Sequence, residues 1–198
     1  MESLLKFLDL IHSLQLVRRA VLARGEDRHE NDLEHSYQLA MAGRYVATSE
    51  RLTLDRDRIL RYALAHDVVE TYAGDTPTYG GNHQEQARRE ADAIARIRQE
   101  FPEFDELHEA IDGYERREDP ESKFVFALDK LLPVLNNYLD GGRNWKSNGI
   151  TLAMLMDHKA GRISTSPEIK KHYDAVLEKI RESERELFAD PEAHEGSG

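Results

Sequence analysis

Between Leu64 and Pro77 the chain sets a histidine and several carboxylates into an otherwise apolar segment, and this limits the possible folds more than any other stretch. From Asp55, a helix cap, Ile59, Leu60, Tyr62, Ala63, Leu64, Val68 and Val69 recur at helical spacing. The spacing predicts a buried helix that Ala73-Gly74 ends, with Asp75-Thr76-Pro77 as a turn. His66 and Glu70 are four apart and Asp67 and Glu70 three apart, so all three can lean toward one region of the helix surface. Burying such groups without partners is costly, and something must compensate them. A divalent metal is the simplest candidate, since neutral imidazole plus carboxylate suits zinc, manganese, cobalt or iron. A His-Asp pair alone is common by chance. Glu70 and Asp75 strengthen the metal reading, because spare carboxylates beside a metal are what hydrolysis needs for proton transfer. Two ligands do not hold a catalytic metal, so other segments must supply more.

Two other segments carry candidates. Asn31 or Asp32 can cap a helix running to about Glu50, in which His35 shares a face with Leu39, Ala42 and Val46. An inward histidine is commonly a hydrogen-bonded core residue, and what it meets decides its role. Asp119-Pro120 reads as a cap followed by proline at the first helical position, opening a helix with Phe124, Val125, Phe126, Leu128, Leu131, Leu132 and Leu135. Asp129 is an aspartate inside that apolar helix, with Pro133 four residues later to bend it. A surface pair with Lys130 is the ordinary explanation, but adjacent helical residues do not face each other. Asp129 is a good further ligand.

The remaining segments read as helices joined by polar connections. A first helix is expected over residues 2–24, with Arg18, Arg19 and Arg24 crowding its far end before Gly25. Dipole compensation and anion binding both account for those arginines. Asn82 and Glu85 resemble a capping box opening a polar helix to about Glu100. Pro102 starts a short helix to Tyr114, and 115–119 is a charged loop. Gly141-Gly142 stops the helix of Asp129, and 143–149 is a loop holding the single tryptophan, Trp145. Thr151 to His158 and Ser166 to about Phe188 are the last helices, and 190–198 looks frayed. No segment shows strand alternation. One all-α domain over residues 1–189 is the expectation.

Composition narrows the function classes. A net charge of −11 argues against a nucleic-acid polymer as partner, because phosphate contacts need clustered Lys and Arg. A small nucleotide is still compatible, since a metal and a few arginines reverse the field locally. The 198 residues contain no cysteine, which excludes disulfides and a thiol nucleophile and fits a cytoplasmic protein. No apolar run approaches a membrane span, and the N-terminus lacks signal-peptide character.

Taken together, the His35, His66-Asp67 and Asp129 pattern resembles the HD-domain metal-dependent phosphohydrolases, and among them the YfbR-like 5′-deoxynucleotidases. Glu34-His35-Ser36 is similar to their EHS signature, residues 66–77 to their HD-x-x-E-x-x-x-GD-x-P block, and Leu128-Asp129-Lys130-Leu131 with Asn137-Tyr138 to their LDKL…NY segment. The resemblance implies an all-helical fold and one divalent metal (cobalt, manganese, zinc, iron or magnesium) held by His35, His66, Asp67 and Asp129. It implies that Glu70 and Asp75 activate water and protonate the leaving group. Arg18 matches a family arginine that contacts the substrate phosphate, with Arg19 beside it as a second substrate-binding candidate. A homodimer and a deoxyribonucleoside 5′-monophosphate substrate follow from the same resemblance. The alternatives are a dNTP triphosphohydrolase or pyrophosphohydrolase, which would draw on Arg19, Arg24, Lys130, Arg143 and Lys146, and a nucleotide-binding scaffold without turnover.

The sequence also departs from the pattern. A tryptophan that often follows the family arginine is replaced by Arg19 or Val21, and the connection to His35 is rich in charge (Glu26, Asp27, Arg28, Glu30). Thr71 follows Glu70 where hydrolases of guanosine tetraphosphate carry an acid, and the GYP extension of cyclic-dinucleotide phosphodiesterases is absent.

Overall fold

A computed structural model describes residues 1–74 and 83–189. Asp75, the Asn82 cap and the tail from 190 onward lie outside the described residues. Helices dominate, as expected: α1 Glu2–Ser13, α2 Asp32–Ser49, α3 Arg56–Ala65, α4 Glu70–Ala73, α5 His83–Glu100, α6 Asp105–Arg116, α7 Pro120–Leu139, α8 Arg143–Ser147, α9 Leu152–Ile163, α10 Pro167–Glu182 and α11 Glu184–Leu187. Two short strands, β1 Arg18–Leu22 and β2 His29–Asn31, pair in a two-stranded sheet.

The caps expected at Asn31, Asp55 and Asp119 are present, whereas Ser166 opens α10 without a capping bond, its Oγ donating to Glu168 Oε2. Asn31 Oδ1 accepts from the backbone N–H groups of Leu33 and Glu34, and Glu34 Oε2 accepts from Asn31 N–H, completing a capping box at α2. Asp55 accepts from Asp57 and Arg58 N–H at the start of α3, and Thr151 from Met154 N–H at the start of α9. Asp119 caps α7 through Ser122 N–H at 2.8 Å.

Four expectations need correction. The first helix ends at Ser13, and Arg18–Leu22 is a strand rather than a helix C-terminus, so dipole compensation does not explain Arg18 and Arg19. Five residues are too few for strand alternation to stand out beside the apolar run that precedes them. The helix through His66 is also broken: α3 stops at Ala65, and Val68 N–H and Glu70 N–H bond back three residues to Ala65 and Asp67 before α4 begins. The β-branched pair Val68-Val69 disfavours helix there. Residues 143–147 form α8 rather than a loop, and α9 runs past His158 to Ile163.

The chain divides into two compact units. In the first (1–20 and 29–125), α2 packs on α3, α3 on α6 and α4 on α5. Leu39, Ile59, Ile97 and Phe124 are fully enclosed in its core. The buried ridge of α2 runs through His35, Leu39, Gly43 and Ala47, slightly rotated from the face expected. In the second unit (21–28 and 126–198), Leu131, Val134, Ile163 and Ile180 are buried, and Trp145 stacks on Phe188 at 4.8 Å between ring centroids.

One contact ties α3 to the start of α7. Tyr62 is buried and its hydroxyl donates to Asp119 Oδ2 at 2.7 Å. Gly113 of α6 makes room for it, since a Cβ there would lie 2.5 Å from the Tyr62 oxygen. Burial, reinforced by Asp119, pushes the phenol from its ordinary 10.0 up to about 12. A phenol so raised gives stability that is complete below pH 10 and is lost as pH rises toward 12, because the unfolded chain ionises first. Tyr62→Phe should cost about 2 kcal/mol at neutral pH by removing a donor to a carboxylate. It should also flatten the loss of stability from pH 10 to 12, which denaturant melts across that range will show.

Candidate metal centre

His35, His66 and Asp67 converge within the first unit. One ligand atom from each lies within 4.8 Å of the others, and all three residues are buried. His35 comes from the first turn of α2, which the Asn31 capping box fixes, and its ring centroid is 5.5 Å from that of His66. His66 and Asp67 come from the turn that interrupts the central helix.

Hydrogen bonding sets the tautomer of each ring. His66 Nδ1 is 3.0 Å from the Ala63 carbonyl, which only accepts, so Nδ1 carries the proton and Nε2 the lone pair. His35 Nδ1 is 3.1 Å from Glu30 Oε1, and donation to that carboxylate likewise leaves the lone pair on Nε2. His66 Nε2 then stands 2.9 Å from Asp67 Oδ2, buried and without an aligned hydrogen-bond donor. Electron pairs from a neutral imidazole and a carboxylate aimed at one place are a poor hydrogen-bonding arrangement and a good fit for a divalent cation. Tyr114 closes one side, edge-on to His66 at 5.5 Å.

Asp67 remains ionised in this setting. Burial alone would raise its carboxyl; the charge of the His66 ring whenever it is protonated, together with the Arg19 guanidinium, outweighs burial and holds it well below the usual carboxylate range in the metal-free protein. Arg19 Nη1 donates to Asp67 Oδ2 at 2.7 Å and to Asp32 Oδ1 at 3.0 Å. Arg18, its neighbour on β1, alternates to the other side of the strand and is exposed.

The other candidates fall in different places. Glu70 opens α4, half-buried, its N–H bonded to the Asp67 carbonyl at 2.9 Å. Asp129 belongs to the second unit, where it is buried on α7. The adjacency argument against a Lys130 partner fails: the long side chain folds back so that Nζ lies 2.7 Å from Asp129 Oδ2. Asp75 lies outside the described residues.

Two carboxylates of the centre are not evident from the sequence. Glu30 has the appearance of part of a solvated charge run, yet it is 3% exposed and braces His35. Asp32, expected only as a possible cap, is fully buried and holds Arg19. The one available signal is position: a carboxylate just ahead of a ligating histidine can serve as its orienting partner. Glu30→Gln should leave the chain folded and weaken divalent-metal binding by about 10–100-fold, as loss of an orienting carboxylate does elsewhere. Calorimetric titration of the stripped protein with metal will measure it.

Comparison with known proteins agrees with this geometry. A family profile described as HD domain matches residues 11–170. The 5′-deoxynucleotidase HDDC2 of Homo sapiens is 31% identical over 194 residues, covering 93% of this chain and 86% of that protein. Its Mus musculus counterpart is 35% identical over 136 residues, 67% of each chain. A crystal structure of a predicted metal-dependent phosphohydrolase from Magnetospirillum magnetotacticum superposes with a TM-score of 0.79 at 30% identity, covering 96% of this chain and 98% of that one. With two histidines and an aspartate gathered around one point and the profile running over most of its length, the chain belongs to the HD-domain family.

Proposed function

We propose that this protein is a metal-dependent 5′-deoxynucleotidase that releases phosphate from deoxyribonucleoside 5′-monophosphates. The convergence of His66 Nε2 and Asp67 Oδ2, both buried and 2.9 Å apart, carries the reading, and the names of the relatives supply the substrate class. His35, His66 and Asp67 hold the cation, with Asp129 as the fourth ligand on the strength of its motif. When bound, the cation supplies charge that acidifies water and offsets the negative charge developing on the phosphoryl oxygens. Glu70, one tight turn beyond Asp67, takes the proton from the attacking water, and Asp75 protonates the leaving nucleoside oxygen. Arg18, exposed on β1, meets the substrate phosphate on the strength of its match to the family arginine alone. The native metal is one of cobalt, manganese, zinc, iron or magnesium, and the reaction takes place in the cytoplasm.

Stripped protein reloaded with Co²⁺, Mn²⁺, Zn²⁺ or Mg²⁺ should release orthophosphate from dNMPs. Triphosphate or pyrophosphate from dNTPs, with dNMPs inert, would replace this reading with the triphosphohydrolase one. Asp67→Asn should lose metal and turnover together. Glu70→Gln should keep the metal and lose turnover by about 10²-fold or more, as removal of a general base does.

The active form is a homodimer built on exposed apolar side chains of the first unit. Leu4, Leu5 and Leu8 of α1, Tyr37, Met41 and Tyr45 of α2, and Leu64 of α3 are large apolar side chains, each 43–73% exposed. Tyr37 and Leu64 also line a groove of about 400 Å³ whose floor is Phe7, Ile11, Leu14 and Val68. Arg61 and Glu106 at the rim, 3.5 Å apart, provide the paired opposite charges that a twofold contact can exchange. Met41→Asp should turn a dimer into a monomer in sedimentation analysis while leaving metal binding intact, and a wild-type monomer at micromolar concentration would overturn this assembly.

A further inference from the structure

Arg19 occupies an unexpected position for a substrate-binding residue. Its guanidinium is largely enclosed (side chain 15% exposed), with one nitrogen shared between two carboxylates. One is Asp67, at the same Oδ2 that faces His66 Nε2; the other is Asp32, which is completely buried at the first position of α2. Asp32 is itself fixed, because its N–H bonds to the Val17 carbonyl at 3.3 Å, tying the start of α2 to the residue before β1. Arg19 and Asp67 are 48 residues apart in sequence, so the arrangement is tertiary and not an accident of local geometry.

A buried carboxylate needs a counter-charge at all times, and a metal supplies one only while bound. We propose that Arg19 is a placeholder cation for the metal: it neutralises Asp67 Oδ2 in the stripped protein, yields that oxygen when the metal arrives, and is retained beside the site by Asp32. This rests on the metal-centre reading above. Arg19 and the metal therefore compete for one carboxylate, and Asp32 draws the guanidinium away from it. Arg19 is a positioning residue in this scheme. It holds a ligand in its ionised, aimed state and does not touch the substrate.

The two charges must shift metal binding in opposite directions. Removing Arg19 takes away the guanidinium that Asp32 and Asp67 share, so the stripped protein loses stability while the metal gains attraction. Removing the Asp32 charge commits the guanidinium to Asp67, so the metal has more to displace. A merely structural role for either residue would lower the melting temperature of stripped and loaded protein alike.

The test measures melting temperature with and without Co²⁺, and Co²⁺ affinity by calorimetry, for wild type, Arg19→Gln, Arg19→Lys and Asp32→Asn. Stripped Arg19→Gln should melt below stripped wild type, and its rise on loading should exceed that of wild type, with affinity tighter by on the order of tenfold or more. Arg19→Lys, which keeps the charge, should behave like wild type. Asp32→Asn should bind Co²⁺ more weakly than wild type. If Arg19→Gln folds only when Co²⁺ is present, the competition is confirmed in its extreme form. Should it fail to fold even then, Asp32→Asn decides, and unchanged or tighter binding there overturns the proposal. Wild type that binds Co²⁺, with an equal or smaller rise in Arg19→Gln, overturns the placeholder role alone. Wild type that binds no Co²⁺ removes the metal-centre reading and this proposal with it.

Discussion

Asp67 must stay ionised where it is almost wholly out of water, and much of the surrounding structure answers that demand. An isolated carboxylate so placed would protonate or pull in solvent. Here the Arg19 guanidinium donates to the same oxygen that His66 Nε2 faces, at 2.7 Å, and supplies the counter-charge. Arg19 reaches Asp67 because β1 runs alongside β2, and Asp32 grips Arg19 because the Asn31 capping box fixes the first turn of α2. The same turn carries His35. A capping motif, a two-stranded sheet and an interrupted helix thus serve one small volume, and each has little reason to be there without it.

Much of this is legible in the amino-acid sequence. Caps announce themselves locally: Asn31, Asp55 and the Asp119-Pro120 pair depend on residues within a turn of one another, so tertiary packing has little scope to displace them. The ligands are legible for a different reason. Histidine and aspartate on an apolar face conflict with burial, and a conflict in the local pattern marks a functional site. His35, His66 and Asp67 stand out in that way, and they come together.

What stays hidden depends on contacts that sequence distance conceals. Glu30 sits near Glu26, Asp27 and Arg28 in a run with solvated character; only its place in the middle of β2, paired with β1, carries it inward to His35. The strand at Arg18–Leu22 merges with the preceding helix in the sequence because its apolar residues continue that helix's spacing. The break at His66 has only a weak local signal, the β-branched pair Val68-Val69, which an apolar run at helical spacing masks. Lys130 reaching back to Asp129 shows the opposite limit: a rule about backbone directions does not bind a side chain with four flexible carbons.

The two histidines are not equivalent donors, and the difference bears on the chemistry. His66 gives its Nδ1 proton to a neutral carbonyl, whereas His35 gives it to the buried carboxylate of Glu30. A carboxylate partner makes the ring more basic and its bond to a cation stronger, while a carbonyl chiefly fixes orientation. As a proposed metal donor, His35 would therefore be the stronger anchor, placed by a capped helix. His66 and Asp67 sit on a turn whose hydrogen bonds span three residues, and Glu70 follows at its end. In the proposed centre, a cation would be met from two separate elements, by His35 from the capped start of α2 and by the His66-Asp67 pair from the turn that Glu70 ends.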